Sequence, residues 1–461
     1  MTAPEAINRY LEDSSGFRGE ADQVFLPTTV DEVRELASNC ARKRTPLTLA
    51  GAGTGLTGAR VPQGGAVLSL EQFNEIEIEQ GRARCGTGAF LRDLQRAAAR
   101  TNQFFGPNPT EDLASMGGII STNAGGARSF HYGAVRRHVL ALEVTFLDGR
   151  TLWLERGQRV DFPVQPVRVP ATTKNSAGYY LPPDVEWVDL LSGSEGTLGI
   201  ITRADVRLFP APSSLLAGVI FFPSDIHALE AVEAWHEVNE LRLLEFLDGR
   251  ALDFIRPQYP DIPPDADAAL MVEQNLQSEE DPEVDRWSQR LEEQNAFADN
   301  SWFGFRTGDH ERFREFRHTL AMTVTDTVRR RGFSKFSTDF AVPFQYHREL
   351  YAQYKRRCEE VFPGQYTIFG HAGDANNHIN LLPSSKEEAL RGEELMYEFA
   401  QFVVSLGGTV AAEHGIGKTK KDLLKLMYSP AEVEAMKDVK RRLDPQWLLG
   451  QNTIFELPAP A

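Results

Sequence analysis

The chain is 461 residues long, more than one hydrophobic core usually supports, so we expect two or three domains. Its apolar share of 41% and charged share of 25% are those of a globular protein, and its net charge of −16 argues against nucleic acid as a partner. No run of about 18 apolar residues predicts a transmembrane helix, and the first residues lack the features of a signal peptide. Three isolated cysteines exclude an iron–sulfur cluster or a cysteine-rich zinc site held within the chain. We therefore expect a cytoplasmic protein, with a peripheral position at the inner membrane as the alternative.

Helices and short strands alternate in the first 100 residues. Thr29 and Glu32 fit a capping box, and apolar residues at helical spacing predict a helix over 27–43. TPLTLA (45–50) and AVLSL (66–70) predict strands, and GAFLRDLQRAAAR (88–100) predicts a second amphipathic helix.

The loop between the two strands, AGAGTGLTG (50–58), contains a G-x-G-x-x-G pattern. A Rossmann dinucleotide site needs a helix directly after this pattern. Pro62, Gly64 and Gly65 rule out a helix of normal length there, so we interpret the glycines as a strand-to-strand loop.

The lengths and order of the predicted helices and strands change near residue 210. Residues 106–210 are rich in turns, with strand-like stretches such as ALEVTFLD and GTLGIITRADVRLF, and FPAPSS (209–214) suits a domain junction. Longer helices then alternate with strands, which predicts an α+β region with an antiparallel sheet and helices on one side. The tail from about residue 426 is too short to fold alone, so we expect it to dock on an existing domain.

Four glycine-rich segments lie in the first 200 residues: AGAGTGLTG, GPNPTEDLASMGGIISTNAGG, SFHYGAVRRHV and GSEGTLGIIT. Glycine lets backbone N–H groups approach a ligand and converge on phosphate oxygens. One such loop can be an ordinary turn. Four in one domain indicate a long ligand that lies along the backbone.

A second cluster of polar residues lies in IFGHAGDANNHINLLP (368–383) and AAEHGIG (411–417). If GDAN is a four-residue hairpin loop, His371 faces His378 with Cβ atoms about 4.5–5.5 Å apart, close enough to share a metal ion. Glu413 would be a third ligand and leave a position open for substrate. The alternative is a structural hairpin whose histidines bond to nearby loops. Glu413 and His414 are neighbours, so both reach one site only if the chain turns at the glycines that follow.

The glycine-rich segments resemble the FAD-binding domain of the vanillyl-alcohol oxidase and p-cresol methylhydroxylase (PCMH) superfamily. The resemblance implies a PCMH-type FAD-binding domain of two subdomains, with AGAGTGLTG as the pyrophosphate loop. Some members attach the flavin to a histidine in this loop, but this chain has Thr54 there, so we expect non-covalent FAD. The implied cofactor contacts are Gly51, Gly53, Thr54, Gly55, Leu56, Thr57, Pro109, Gly117, Gly118, Ser121, Asn123, Ala124, Gly125, Gly133, Glu195, Gly199, Ile200 and Ile201.

The second cluster resembles the FAD-dependent 2-hydroxyacid dehydrogenases, which oxidise D-lactate, glycolate or D-2-hydroxyglutarate and show G-H-x-G-D-G-N-x-H-x-N followed by E-H-G-I-G. The resemblance implies a divalent metal (zinc, manganese or iron) on His371, His378 and Glu413. It also assigns His414 as the catalytic base that takes the hydroxyl proton while hydride leaves for flavin N5. Asn380 and Arg317 would contact the substrate, Arg317 through a carboxylate.

Four departures from the family pattern affect these expectations. Ala375 replaces a glycine in the hairpin turn, and LLGQNTIF replaces the common N-P-G-K ending, which puts the tail's flavin contact in doubt. Ala321 replaces the threonine that follows Arg317 by four residues in the hydroxyglutarate enzymes, and Lys335 is two residues off the register of their second cation. We therefore expect a monocarboxylic acid such as D-lactate to be used better than D-2-hydroxyglutarate.

The resulting interpretation is a flavoenzyme with an FAD-binding domain (1–210), an α+β substrate domain (211–425) and a docking tail (426–461). Electrons would leave to a separate acceptor: a quinone, an electron-transfer flavoprotein or a partner subunit. GKTKKDLLKL could dock an acidic carrier, but we interpret its lysines as the solvated start of a helix. A metal-free oxidase of phenols or alcohols and a non-catalytic FAD-binding subunit remain as alternatives. The oligomeric state stays open, a homodimer included.

Overall fold

The computed structural model describes residues 7–458. The helices are α1 (Val30–Lys43), α2 (Leu91–Ala99), α3 (Met116–Ser121), α4 (Ser129–Tyr132), α5 (Trp187–Leu191), α6 (Asp225–Trp235), α7 (Gly249–Ile255), α8 (Pro282–Glu293), α9 (Thr307–Arg330), α10 (His347–Val361), α11 (Lys386–Ser405), α12 (Lys421–Met427) and α13 (Pro430–Leu443). The strands are β1 (Gln23–Phe25), β2 (Leu47–Ala50), β3 (Ala66–Ser69), β4 (Ile76–Glu79), β5 (Arg82–Gly86), β6 (Gln103–Phe104), β7 (Val139–Thr145), β8 (Thr151–Glu155), β9 (Ile200–Arg207), β10 (Phe209–Pro210), β11 (Ser214–Phe222), β12 (Leu241–Asp248), β13 (Ala268–Leu276), β14 (Trp302–Gly304), β15 (Phe336–Ser337), β16 (Tyr366–His371) and β17 (Asn376–Leu381).

The first 210 residues form two main sheets. A parallel sheet has the order β1-β3-β2, and an antiparallel sheet has the order β4-β5-β9-β7-β8, while β6 pairs with β10. The link from β2 to β3 contains no helix, which confirms that the first glycine pattern is not a Rossmann site. Helix α1 begins as expected, because Thr29 Oγ1 accepts a hydrogen bond from the Glu32 amide at 3.3 Å. The Glu32 carboxylate bonds to the Thr28 amide instead of that of Thr29, so the capping box is shifted by one residue.

The second region is built on a seven-stranded antiparallel sheet with the order β14-β11-β13-β12-β16-β17-β15. Helices cover both faces: α7 and α9 pack on one, and α6, α8, α10 and α11 on the other. The expectation of helices on one side was wrong, because β11 (SLLAGVIFF) and β12 (LRLLEFLD) are buried along both faces. The fold is the predicted α+β class.

The end of the chain returns to the parallel sheet beside the glycine-rich loop. The Leu47 amide donates to the carbonyl of Leu448 at 2.8 Å, and the Gly450 amide donates to the carbonyl of Leu47 at 3.0 Å. In α13, the buried ammonium of Lys440 bonds to the carbonyl of Thr197 at 2.7 Å and to Asp444 at 2.6 Å. These contacts support a docking tail, and the division at 210 and 425 remains our proposal.

Candidate functional site

A cavity of about 890 Å³ runs along the edge of the parallel sheet and ends at Glu413 and His414. Three of the four glycine-rich segments line it, AGAGTGLTG, GPNPTEDLASMGGIISTNAGG and GSEGTLGIIT, whereas no residue of SFHYGAVRRHV does. Gly450 of the tail also lines it, although the common N-P-G-K ending is missing. The predicted cofactor contacts that line the cavity are Gly51, Gly53, Thr54, Gly55, Leu56, Thr57, Pro109, Gly117, Gly118, Ser121, Ala124, Gly125, Glu195, Gly199 and Ile201.

Three predicted cofactor contacts lie outside this cavity. Asn123 uses its side chain to bond the Arg136 amide at 2.8 Å and the carbonyl of Asn175 at 3.0 Å. Ile200 is fully buried in the core beneath α1, and Gly133 ends α4 with a φ of +86°. The cavity does not include these three residues, and their contact with the cofactor stays a prediction.

The loop at residues 53–57 fits a phosphate group. Within residues 7–458, none of its five backbone N–H groups donates a hydrogen bond. Gly53 has a φ of +85°, which favours glycine. Consecutive free N–H groups on a glycine-rich loop form an anion-binding concavity, so the residues present fit the diphosphate of FAD.

The metal-site histidines lie on β16 and β17, in a different register from the predicted one. His371 pairs with Asn376 and His378 with Phe369, so the four-residue loop is 372–375 and not GDAN. Ala375 adopts the left-handed conformation (φ +48°) that closes this loop. A shift of one loop position moves the pairing by two residues, so both histidines stay on the same face of the sheet. Their ring centroids are 5.4 Å apart.

Both histidine rings are oriented through Nδ1. His378 Nδ1 donates to the carbonyl of Thr338 at 2.7 Å, and His371 Nδ1 bonds to the buried carboxylate of Glu245. His371 Nε2 lies 3.3 Å from Glu413 Oε2. One ligand atom each from His371, His378 and Glu413 lies within 4.8 Å of the others, as a shared divalent ion requires.

A carboxylate holds the turn that presents Glu413 and His414 together. Asp339 accepts hydrogen bonds from the Glu413 amide at 3.1 Å and from the His414 amide at 3.0 Å. Gly415 then has a φ of +76°, so the chain turns as the glycines of EHGIG predict. Asp339 also forms a second candidate set with Glu413 and His414, but both of its oxygens are engaged, the second also by Lys420 at 2.7 Å.

Burial and neighbouring charges set the protonation of the candidate ligands. Burial and the proximity of His371 lower the pKa of His378 to about 3, so this ring is neutral. Burial also opposes charge on His371, but the carboxylates of Glu245 and Glu413 outweigh it and raise its pKa to about 9. The cations around Glu413 hold its pKa well below the usual range against the effect of burial.

Lys174 is a buried cation at the junction of the cavity and the hairpin. Its ammonium lies 2.5 Å from Glu413 Oε1 and 3.1 Å from Asp374 Oδ2, with no exposed side-chain surface. A Cβ on Gly125 would lie 2.6 Å from Glu413 Oε1 and 3.0 Å from Lys174 Cδ. Gly125 is therefore required by this ion pair as well as by the cavity.

Arg317, Asn380 and Lys335 lie close together beside the hairpin of β16 and β17. Arg317 Nε donates to Glu245 at 2.8 Å, so the same carboxylate joins it to His371. Lys335 Nζ donates to Asn380 Oδ1 at 2.8 Å. Lys335 directly precedes β15, and its side chain reaches the predicted substrate asparagine although it is two residues off the family's register in sequence. Burial and Arg317 lower the pKa of Lys335 to about 8.

The expectation that the lysines of GKTKKDLLKL are solvated was wrong for Lys418. Lys418 is buried and donates to Thr453 at 2.9 Å and to the carbonyls of Gly58 and Ala59 at 3.2 and 3.3 Å. Lys420 pairs with Asp339. The start of this segment therefore helps to fix the turn that presents Glu413 and His414.

The sequence pattern did not identify Glu245, Asp339 or Lys174. Each belongs to a stretch without a recognised motif, and its partners are far along the chain. Glu245 had one readable signal, since it is a charged residue inside the apolar strand LRLLEFLD. Charged residues are buried in such a strand only when they are paired.

The fold and cavity define the class of an FAD-binding flavoprotein with an α+β substrate domain, and comparison with known proteins agrees. Residues 21–155 match the family model of an FAD-binding domain, and residues 211–452 match that of the C-terminal domain of FAD-linked oxidases. The fold is similar to that of alkyldihydroxyacetonephosphate synthase, with a TM-score of 0.64 over 93% of this chain and 75% of that one, at 14% identity.

Curated relatives are similar over almost the whole chain. A D-lactate dehydrogenase of Archaeoglobus fulgidus is 31% identical over 445 residues, which is 94% of this chain and 90% of that protein. A glycolate oxidase subunit of Bacillus subtilis is 29% identical (95% and 90%), and a D-2-hydroxyglutarate dehydrogenase of Stutzerimonas stutzeri is 26% identical (99% and 96%). The chain belongs to the PCMH-type family of FAD-linked 2-hydroxyacid dehydrogenases, and it is an oxidoreductase.

No helix in the described part of the chain has both the length and the hydropathy that a membrane crossing requires.

Proposed function

We propose that the protein oxidises a D-2-hydroxy acid to the 2-oxo acid with FAD and one divalent metal ion. The observation that carries the proposal is the position of Glu413 and His414. Both line the end of the cofactor cavity, and Glu413 is also within ligand distance of His371 and His378. A base, a metal set and the flavin site therefore meet at one point.

His371, His378 and Glu413 would hold zinc, manganese or iron, and this ion would supply a Lewis acid that lowers the pKa of the substrate hydroxyl. FAD supplies the hydride acceptor. His414 accepts the hydroxyl proton. Its Nδ1 lies 3.4 Å from Asp339 Oδ2, which leaves Nε2 free, and burial lowers its pKa so that the ring is neutral and ready to act as a base.

Arg317 and Asn380 would position the substrate by its carboxylate and hydroxyl oxygens. Arg317 already shares Glu245 with His371, so part of its charge is compensated inside the protein. Ala321, one helical turn later on α9, offers no hydroxyl. On this basis we propose a monocarboxylic acid such as D-lactate as the substrate.

A dicarboxylic acid such as D-2-hydroxyglutarate is the second candidate. Lys335 favours it, because this partly buried ammonium bonds to the neutral Asn380 and forms no ion pair with a carboxylate of the described chain. A second carboxylate of the substrate could pair with it. Losing one charged hydrogen bond costs roughly 1.5–3 kcal/mol, or about one to two powers of ten in affinity, so the two substrates should differ measurably.

The first experiment is anaerobic reduction of the bound flavin by a panel of D- and L-2-hydroxy acids. We expect D-acids to bleach the flavin absorbance and L-acids to leave it unchanged. Measuring kcat/KM with an artificial dye acceptor should then give a higher value for D-lactate than for D-2-hydroxyglutarate. A higher value for D-2-hydroxyglutarate would select the second candidate.

The natural acceptor would be separate: a quinone, an electron-transfer flavoprotein or a partner subunit. Two alternatives make opposite predictions. A metal-free oxidase would contain no stoichiometric metal, and a non-catalytic FAD-binding subunit would show no bleaching with any acid in the panel.

A further inference from the structure

Arg60 lies beside the loop at residues 53–57, on the wall of the FAD cavity. A Cβ added to Gly53 would lie 2.0 Å from Arg60 Nη1, so the loop backbone is folded against the guanidinium. We propose that Arg60 binds the diphosphate of FAD and is the main positive charge of that subsite. The proposal concerns the cofactor site and does not depend on the choice of substrate.

Only part of the Arg60 guanidinium is hydrogen-bonded within the described chain. Its Nη2 donates to the carbonyl of Arg9 at 2.6 Å, whereas Nε is buried without an acceptor among the described residues. No ion pair with a carboxylate is formed by Arg60 in residues 7–458, although the charges of Asp13 and Glu71 oppose the lowering of its pKa by burial. The other arginine on the cavity wall, Arg9, is already paired with Glu71.

The charge of the ligand explains why such a cation is needed. The diphosphate of FAD carries two negative charges, and the N–H groups of the loop supply hydrogen bonds but no full charge. A guanidinium offers several N–H groups in a planar fork that matches phosphate oxygens. Arg60 has both the position and the unused donors for this role.

The negative charge of Asp13 makes a positive charge more necessary at the diphosphate subsite. Its Oδ2 atom is buried without a hydrogen-bond partner among the described residues, and it lies 3.6 Å from where a Cβ on Gly55 would be. A carboxylate next to the loop repels a diphosphate. Asp13 and Arg60 should therefore act on FAD binding with opposite signs.

The test measures FAD release from the holoenzyme by dilution, using the rise in fluorescence of free FAD. Arg60→Met should raise the dissociation constant of FAD by about ten- to a hundredfold, the effect of losing a charged hydrogen bond. Arg60→Lys, which keeps the charge without the fork, should raise it about three- to tenfold. Asp13→Asn should leave it unchanged or lower it. The dissociation constant of Arg60→Met should also depend less on salt than that of the native protein.

Arg9→Met is the matched control, because it removes a neighbouring arginine that Glu71 already occupies. We expect it to change the dissociation constant less than threefold. Far-UV circular dichroism checks folding, and Arg60→Lys tests the proposal if Arg60→Met does not fold. The proposal is overturned if the folded Arg60 variants release FAD within twofold of the native value, or if Arg9→Met weakens binding as much as Arg60→Met does.

Discussion

At the residue scale, the two hairpin histidines that we propose as metal ligands differ in protonation. His378 is neutral, and its Nδ1 proton is fixed on the carbonyl of Thr338. His371 is held by a carboxylate, Glu245, which makes the ring more basic and raises its pKa to about 9. Metal binding must therefore displace a proton from His371, so metal affinity should fall as the pH falls.

Replacing His371 tests the metal set directly. His371→Ala removes one of three ligands, so we expect loss of the stoichiometric metal and a drop in turnover of at least about a hundredfold. The flavin absorbance spectrum should remain, because His371 does not line the FAD cavity. Metal content by mass spectrometry and steady-state kinetics give the readouts.

His318→Ala is the matched control, since His318 is an exposed histidine on α9, the helix that carries Arg317. Native metal content and turnover are expected for it. Loss of FAD together with the metal in His371→Ala would mean that the histidine supports the fold and not the metal.

Thr54 determines how the flavin is held. His414 is the only histidine on the wall of the FAD cavity within the described chain, and Thr54 occupies the first loop. A threonine cannot form the histidyl bond to the flavin, so acid or heat should release all of the FAD into the supernatant. Yellow colour that stays with the precipitated protein, after washing in denaturant, would contradict this.

At the element scale, the turn after His414 connects Glu413 and His414 to the FAD loop. The Glu195 carboxylate accepts hydrogen bonds from the amides of Ile416 and Gly417, each at 2.8 Å. Thr57 donates to the carbonyl of His414 at 3.1 Å. The position of His414, our proposed base, thus depends on a left-handed backbone conformation at residue 415 that favours glycine.

Gly415→Ala should disturb this turn in two ways. The residue has a φ of +76°, and a Cβ would lie 2.7 Å from Glu195 Cδ. We expect a loss of about 2–4 kcal/mol of stability, and about a hundredfold lower kcat because the base is displaced. Thermal unfolding and kinetics are the measurements.

Gly407→Ala is the control for backbone strain alone. Its φ is +75°, but a Cβ there meets nothing within 4 Å. It should cost about 1 kcal/mol and leave kcat unchanged. If both variants behave alike, the contact with Glu195 has no part in catalysis.

The same elements show what sequence can and cannot predict. The metal set could be found because histidines seven residues apart fall on one face of a hairpin in either register. The register itself could not, since AGDA and GDAN are equally good four-residue loops and Ala375 is not a residue typical of a left-handed position. Glu245 lies 126 residues from His371, so only the assembled sheet brings the two together.

At the scale of the whole molecule, one buried and one partly buried ion pair join the FAD-binding region to the α+β region. Lys174 reaches Glu413 and Asp374, and Arg128 reaches Glu273 on β13 at 2.9 Å. Breaking one partner of a buried pair costs about 3–5 kcal/mol, so the two regions should unfold together. Their stability should therefore respond to a titrating group anywhere in the shared core.

His138 is such a group, and its environment predicts how the stability of the fold changes in acid. It directly precedes β7 and is only 2% exposed, and its Nε2 donates to the carbonyl of Tyr132 at 2.9 Å. Nδ1 has no hydrogen-bond partner among the described residues, and the rings of Phe105 and Phe209 lie 6.0 and 5.5 Å away. Burial lowers the pKa of His138 from 6.5 to about 4.

Protonation of His138 therefore favours the unfolded state. Above about pH 6.5 the ring is neutral in the folded and the unfolded state, so it does not change the free energy of unfolding. Between about pH 6.5 and 4 the unfolded chain binds the proton first. The free energy of unfolding should fall by up to about 3 kcal/mol over this range.

Urea unfolding of FAD-saturated protein at several pH values measures this free energy. The native curve is compared with that of His138→Gln, which keeps a donor for the carbonyl of Tyr132 but does not titrate. The difference between the two curves should grow as the pH falls, because all other titrating groups are shared. Parallel curves from pH 7 to 4.5 would show that His138 is not responsible for the loss of stability in acid.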